Sequence, residues 1–231
     1  AQGNFFARLL KPNPKAKEGE KDDAEKAPAA ASKALGSQAE AGSEVLVRDD
    51  VVYTRLSNGQ TIPLIGLTVS HIRGDIVSKL VSNAIRDNRK ILLVDTSHES
   101  GNEADVAKGI IDGAEIAGET VTVHVITKVW YTHLGYERTK LSVMESLEAL
   151  KPAKEHILVK LQVHVLLQWP RCFPELPWAD CVEEERQLAE HTRQAGPDPA
   201  HQPEQAWKDS WKALEDLYLK DQDNPLLASI G

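Results

Sequence analysis

From residue 51 onward the chain alternates continuous apolar runs with stretches whose apolar residues recur at helical spacing. The stretch "VVYTRLSNGQTIPLIGL" holds two short strand-like runs around Ser57-Asn58-Gly59, and Asn-Gly between such runs is a strong hairpin signal. Ile76, Val77, Leu80, Val81, Ala84 and Ile85 recur at i, i+1, i+4 and i+5, which predicts a helix with these residues on its inner face. "KILLVD" then reads as an apolar strand, Val106, Ile110, Ile111 and Ala114 as a second helix, and "VTVHVITK" as a second buried strand. Leu141, Met144, Leu147 and Leu150 mark a third helix, and "HILVKLQVHVLL" a third strand. An irregular, acidic, Pro-rich insert runs from Trp169-Pro170 to about Pro203. Beyond it Trp207, Trp211, Leu214 and Tyr218 give one more helical stripe, and "LLASIG" starts another strand. Continuous apolar strands alternating with amphipathic helices imply βαβ units, a parallel sheet and the α/β class.

The first 50 residues have a different texture. Residues 11–44 combine Lys, Glu, Ala, Pro, Gly and Ser with a single Leu, too little apolar surface to offset the entropy of ordering. The organisation expected is an extended low-complexity tail over 1–50 and a globular (β/α) domain over 51–231. Ahead of the tail's polar part, "NFFARLL" carries Phe5 and Phe6, two of only 3 phenylalanines in the chain. With Leu9 and Leu10 they form an apolar hook suited to a protein partner; the other readings are the remnant of a targeting peptide or a segment folding back on its own domain. A first residue of Ala rather than Met points to processing.

Charge and cysteine content narrow the function classes. Lys plus Arg total 27 against 35 Asp plus Glu, a formal charge of -8, which argues against nucleic acid or an anionic membrane surface as a partner. The longest apolar run, "HILVKLQVHVLL", is broken by Lys160, Gln162 and His164 and is too short to span a bilayer, so the protein is at most peripheral to a membrane complex. Cys172 and Cys181 lack the spacing of a zinc knuckle and read as free, partly buried thiols, with no metal site expected.

Several pieces follow one another in an order that resembles the aldo-keto reductases over about residues 51–231. "LSNGQTIPLIGL" is similar to that family's floor hairpin and first strand, "VDTSHESGNEADV" to its D-T-A-x-x-Y-G-N-E signature, and "ITKVW" to its third strand. "LLQWP" is similar to the fourth strand's L-x-H-W-P, and "SWKALEDLYL…ASIG" to the helix and strand that follow. The resemblance implies a (β/α) barrel of the TIM type, here partial, in which NADPH gives hydride to a carbonyl. A Tyr acts as general acid, an Asp and a Lys lower its pKa, and a His orients the carbonyl. Asp95 and Lys128 stand at the family's Asp and Lys positions, whereas the Tyr position is Ser100 and the His position is Gln168.

A serine hydroxyl is a far weaker acid than a phenol, and the reading that follows is a catalytically inactive relative. His98 is the one nearby group that could replace the acid, and is read instead as a solvated loop residue; Asp95 and Lys128 are read as a remnant strand-end pair. No Gly-rich dinucleotide turn appears, since Gly109, Gly113 and Gly118 lie within or just after a helical pattern, so no cofactor is expected. The function expected is that of a structural or accessory subunit of a larger protein assembly in an organelle. The resemblance of "PRCFPELPWADC" to family members of photosynthetic eukaryotes favours the plastid over the mitochondrion. The competing reading is a fragment or divergent member of an NADPH-dependent, cytoplasmic reductase that uses NADP.

Overall fold

In a computed structural model the residues described are 45–48, 50–88, 92–220 and 227–231. Phe5, Phe6, Leu9 and Leu10, with the rest of residues 1–44, lie outside them. Three short strands, β1 (Val45–Arg48), β2 (Val51–Arg55) and β3 (Thr61–Pro63), form an antiparallel meander in that order. Strand pairing thus begins ahead of Val51. The β2–β3 turn is the one signalled by Asn58-Gly59. Gly59 has φ 83°, and Asn58 Oδ1 accepts the Gln60 N–H at 3.0 Å, closing the turn on its own backbone. The Asn58 amide also donates to the Ala228 carbonyl at 2.9 Å and the Tyr218 hydroxyl at 3.1 Å, fastening the hairpin to the far end of the chain.

The second sheet is parallel throughout, with five strands in sequence order. These are β4 (Leu67–Thr68), β5 (Leu93–Asp95), β6 (Val121–Val129), β7 (Val159–Leu167) and β8 (Ser229–Ile230). Helices α1 (Asp75–Asn83), α2 (Glu103–Ala117) and α3 (Tyr136–Lys154) cross between them. Between β7 and β8 lie α4 (Cys181–Gln187), α5 (Glu190–Ala195) and α6 (Pro203–Leu219). Sequential parallel strands, each followed by a helix, are the wall of a (β/α) barrel, and the described residues build part of one. Its core is valine-rich: Val77, Val81, Val94, Val106, Val123 and Val125 are all within 1% of fully buried. No described helix is long and apolar enough to cross a membrane.

Three helices bury only part of the apolar stripe that the sequence predicts: Val77, Val81, Leu150 and Leu214 are inside, while other large apolar residues of the stripes face out. In α1 the inner residues are Val77, Ser78, Val81 and Ser82, while Ile76 is 61% exposed. The cause lies in α2. A Cβ on Gly109 would sit 2.7 Å from the Ser78 carbonyl oxygen, and one on Gly113 2.9 Å from Ile85 Cβ, so the two helices approach too closely for large side chains between them. In α3 the buried set is Arg138, Thr139, Ser142, Val143, Ser146, Leu150 and Ala153, with Met144 47% exposed. In α6 it is Ala206, Ser210, Ala213, Leu214 and Leu217, and Trp211 lies toward solvent. Polar contacts cross between α3 and α6: Thr139 donates to Ser210 Oγ at 2.9 Å, and Ser210 donates to the Ala206 carbonyl.

The insert after β7 contains two short helices rather than irregular chain throughout. Cys172 and Cys181, expected as free thiols, form a disulfide with Cα atoms 5.9 Å apart. The chain after Pro170 turns back on itself, so the first residue of α4 meets the loop leaving β7, a return that a spacing of nine residues does not reveal.

Candidate active site

Parallel strands point all their carboxyl ends the same way, so the ends of β4 to β7 and the loops beyond them form one face. Asp95 is the last residue of β5, and Lys128 projects from the next strand near the end of β6. The structure brings the two together: Lys128 Nζ lies 2.5 Å from Asp95 Oδ1 and donates to the Thr96 carbonyl at 2.7 Å. Thr68, at the end of β4, donates to Asp95 Oδ2 at 3.1 Å. The ammonium is thereby held against one carboxylate and one carbonyl, with the lysine side chain 16% and the aspartate 31% exposed.

Ser100 is 1% exposed and its hydroxyl is occupied within its own loop. It accepts the His71 N–H at 3.2 Å and shares a 2.8 Å hydrogen bond with Ser97 Oγ. Gly101 (φ 59°) then turns the chain into Asn102, whose amide donates to the Val69 and Ile72 carbonyls and whose Oδ1 accepts from Thr96 Oγ1. Glu103, buried at the start of α2, accepts from Thr127 Oγ1 at 2.6 Å. The S-G-N-E run is therefore a tie between the loop, β6 and the β4 end.

Gln168 follows β7, and its backbone N–H bonds the Val129 carbonyl at 3.1 Å, placing it beside the Lys128 strand. Its side-chain Oε1 is buried without a hydrogen-bond partner. An aromatic group follows the ends of β6 and β7: Trp130 packs on Tyr131 and Trp178, and Trp169 on Phe173 and Trp178. Burial and the neighbouring Glu184 carboxylate push the Tyr131 phenol far above its usual range. A nicotinamide cofactor, which the sequence resemblance implies, needs a partner for its carboxamide, and the reduction it would serve needs an acid beside the reacting carbonyl. The buried Gln168 oxygen fits the first requirement, whereas the occupied Ser100 hydroxyl does not fit the second.

His98 is not the solvated residue expected from its loop. Its side chain is 18% exposed, and Nε2 lies 2.8 Å from Glu145 Oε2, while His191 of α5 takes the other oxygen at 3.0 Å. Burial works against the Glu145 charge, but the hydrogen bonds from His191 and His98 hold its carboxyl below the usual range. His133, edge-on to His98 at 4.8 Å, is kept neutral by burial, its pKa lowered to about 3. Two other buried polar groups carry no local sequence signal. Arg138 makes a bidentate pair with Glu185, at 2.8 and 2.9 Å, and donates to the Thr132 and Gly196 carbonyls. His124 and His164 stack on adjacent strands with Nδ1 and Nε2 3.0 Å apart, and His164 Nδ1 meets Ser229 Oγ at 2.7 Å. Among the described residues no group of three or more His, Cys, Asp or Glu could hold a metal ion.

No protein-family model matches the chain. A curated relative from Bacillus subtilis (strain 168), an uncharacterized oxidoreductase named YtbE, is 35% identical over 98 residues, which cover 41% of this chain and 34% of that protein. Two solved structures share the fold. An aldo-keto reductase from Brucella melitensis matches with TM-score 0.51 and 22% identity over 78% of this chain and 53% of its own. An aldo-keto reductase from Bombyx mori, in complex with NADP, matches with TM-score 0.52 and 22% identity over 78% of this chain and 49% of its own. The chain thus spans about half the length of the similar structures and about a third of the curated relative. The chain shares the partial (β/α) barrel fold of these two aldo-keto reductases, with Ser100 and Gln168 at the positions where the sequence resemblance places Tyr and His.

Proposed function

We propose that this protein does not reduce carbonyls and serves as an accessory or structural subunit of a larger protein assembly. The observation that carries the reading is Ser100. A general acid must present its proton to the substrate oxygen from about 3 Å with a pKa near the working pH. The Ser100 hydroxyl is buried, accepts a backbone N–H and pairs with Ser97, so it is neither acidic nor available. The Asp95–Lys128 pair acts in this reading as a clamp between the ends of β5 and β6. No cofactor is needed, and the partners are other protein subunits, reached in part through Phe5, Phe6, Leu9 and Leu10. The setting is an organelle, the plastid before the mitochondrion, and any membrane association is through the assembly.

A second reading, NADPH-dependent reduction of a carbonyl with NADP as cofactor in the cytoplasm, is favoured by the retained Asp95–Lys128 pair and by similarity to an oxidoreductase. Native electrophoresis of a mild extract from the source tissue separates the two. The subunit reading expects the protein to migrate within a larger complex and to leave it when Phe5 and Phe6 are changed to Ala. Migration as a single 25.5 kDa species overturns it.

A further inference from the structure

Helix α4 buries none of its side chains, and a helix of its length is marginal in water unless something holds it. Three attachments do so. The Cys172–Cys181 disulfide ties its first residue to the loop leaving β7. Glu184 accepts from Trp130 Nε1 at 2.8 Å, and Glu185 pairs with the fully buried Arg138. The attachments differ in kind. Arg138 is desolvated, so its pairing with Glu185 persists as long as the fold does. The Glu184 contact is a single half-buried hydrogen bond. The disulfide, whose two cysteines are half-buried, is the only covalent link and the one that chemistry can open. It closes a loop that includes Trp178, 42% exposed and packed across Trp130 and Trp169. Trp130 lies two residues beyond Lys128, and Trp169 directly after Gln168, so this loop covers the strand-end face beside the candidate site.

We propose that the Cys172–Cys181 disulfide is a reversible redox latch that holds the Trp178 loop over the strand-end face, with the Arg138–Glu185 pair as its hinge. The reductant is a dithiol. Its thiolate attacks one protein sulfur, the Cys172–Cys181 bond breaks, and a mixed disulfide forms while the other cysteine leaves as a thiolate. The second thiol of the reductant then attacks the mixed disulfide and releases the remaining cysteine. Both cysteines take up protons, the protein has gained two electrons, and the reductant departs as a disulfide; an oxidised dithiol reverses each step. Once open, the loop keeps its ring contacts and the Trp130–Glu184 hydrogen bond but no covalent tie, whereas the second turn of α4 stays docked through Glu185. The proposal does not depend on whether the site performs chemistry.

The test uses the full chain, oxidised and after treatment with dithiothreitol, with thiols counted by iodoacetamide labelling and mass. Chymotrypsin cleavage at Trp178-Ala179 should speed up at least tenfold on reduction. Tryptophan emission should shift to the red, and both changes should reverse on reoxidation. A Cys172→Ser/Cys181→Ser variant should behave as the reduced form with or without dithiothreitol, and its melting temperature should stay within a few degrees of the oxidised protein. Iodoacetamide labelling of both cysteines before any reductant is added overturns the proposal. So does equal cleavage of the oxidised and reduced forms. Collapse of the melting transition on reduction also overturns it, since the bond would then be a staple for the whole domain.

Discussion

Replacing His124 with Gln should flatten the acid side of the protein's stability curve. His124 and His164 lie on adjacent parallel strands, 7% and 1% exposed, joined by the 3.0 Å Nδ1–Nε2 contact. Burial lowers the His124 pKa to about 4, and burial with the neighbouring His124 ring lowers that of His164 to about 4, from an ordinary 6.5. A group with a lowered native pKa stays neutral in the folded protein while the unfolded chain takes up its proton. Stability is therefore full above pH 6.5, falls as pH drops from about 6.5 to about 4, and levels off once the native ring also protonates. For one imidazole the loss over that window is about 3 kcal/mol, a substantial part of the ~5–15 kcal/mol that keeps a domain folded. Gln keeps an amide able to bond His164 and does not titrate. Urea unfolding followed by circular dichroism at pH 7, 6, 5 and 4 reads the difference directly. The wild type should lose about 3 kcal/mol more than His124→Gln between pH 7 and pH 4. Parallel curves for the two proteins would mean that His124 already carries its proton in the fold or reaches water.

Glu185→Ala should lower stability by about 3–5 kcal/mol in thermal or urea unfolding, because it leaves the buried Arg138 guanidinium without its carboxylate. Glu185→Gln, which keeps one acceptor, should cost clearly less. Gly109→Ala should cost roughly 1–3 kcal/mol, since its Cβ would meet the Ser78 carbonyl at 2.7 Å and Val81 Cβ at 2.8 Å and force α1 away from α2; an unchanged melting temperature would show that the helices yield freely. Asn102→Ala should lose about 2–4 kcal/mol by leaving the Val69 and Ile72 carbonyls and the Thr96 hydroxyl without their partner, read in the same unfolding assay.

The sheet was legible because its strands are nearly unbroken apolar runs, and β6 and β7 pair over their full length as those runs suggest. The positions of Asp95, Lys128, Ser100 and Gln168 were legible through short motifs that lie at strand ends. The helix faces were less so. Large apolar residues mark an inner face only when the neighbouring helix leaves room, and Gly109 and Gly113 remove that room, which turns Ser78 and Ser82 inward and Ile76 outward. Arg138 reads as a solvent residue because its partner lies 47 positions away, and Glu145 gathers His98 and His191 across similar separations. Such pairings depend on tertiary return of the chain, as does the disulfide, and no local period encodes them.

Whether the strand-end face holds a usable acid is tested most directly by NADPH oxidation by the purified full chain with a panel of aldehydes and ketones. With Ser100 in place of the acid, no carbonyl-dependent rate above buffer is expected from pH 6 to pH 8, and the same result is expected for Lys128→Met. Saturable, carbonyl-dependent oxidation of NADPH that Lys128→Met abolishes would contradict this expectation and make the Asp95–Lys128 pair part of a working site.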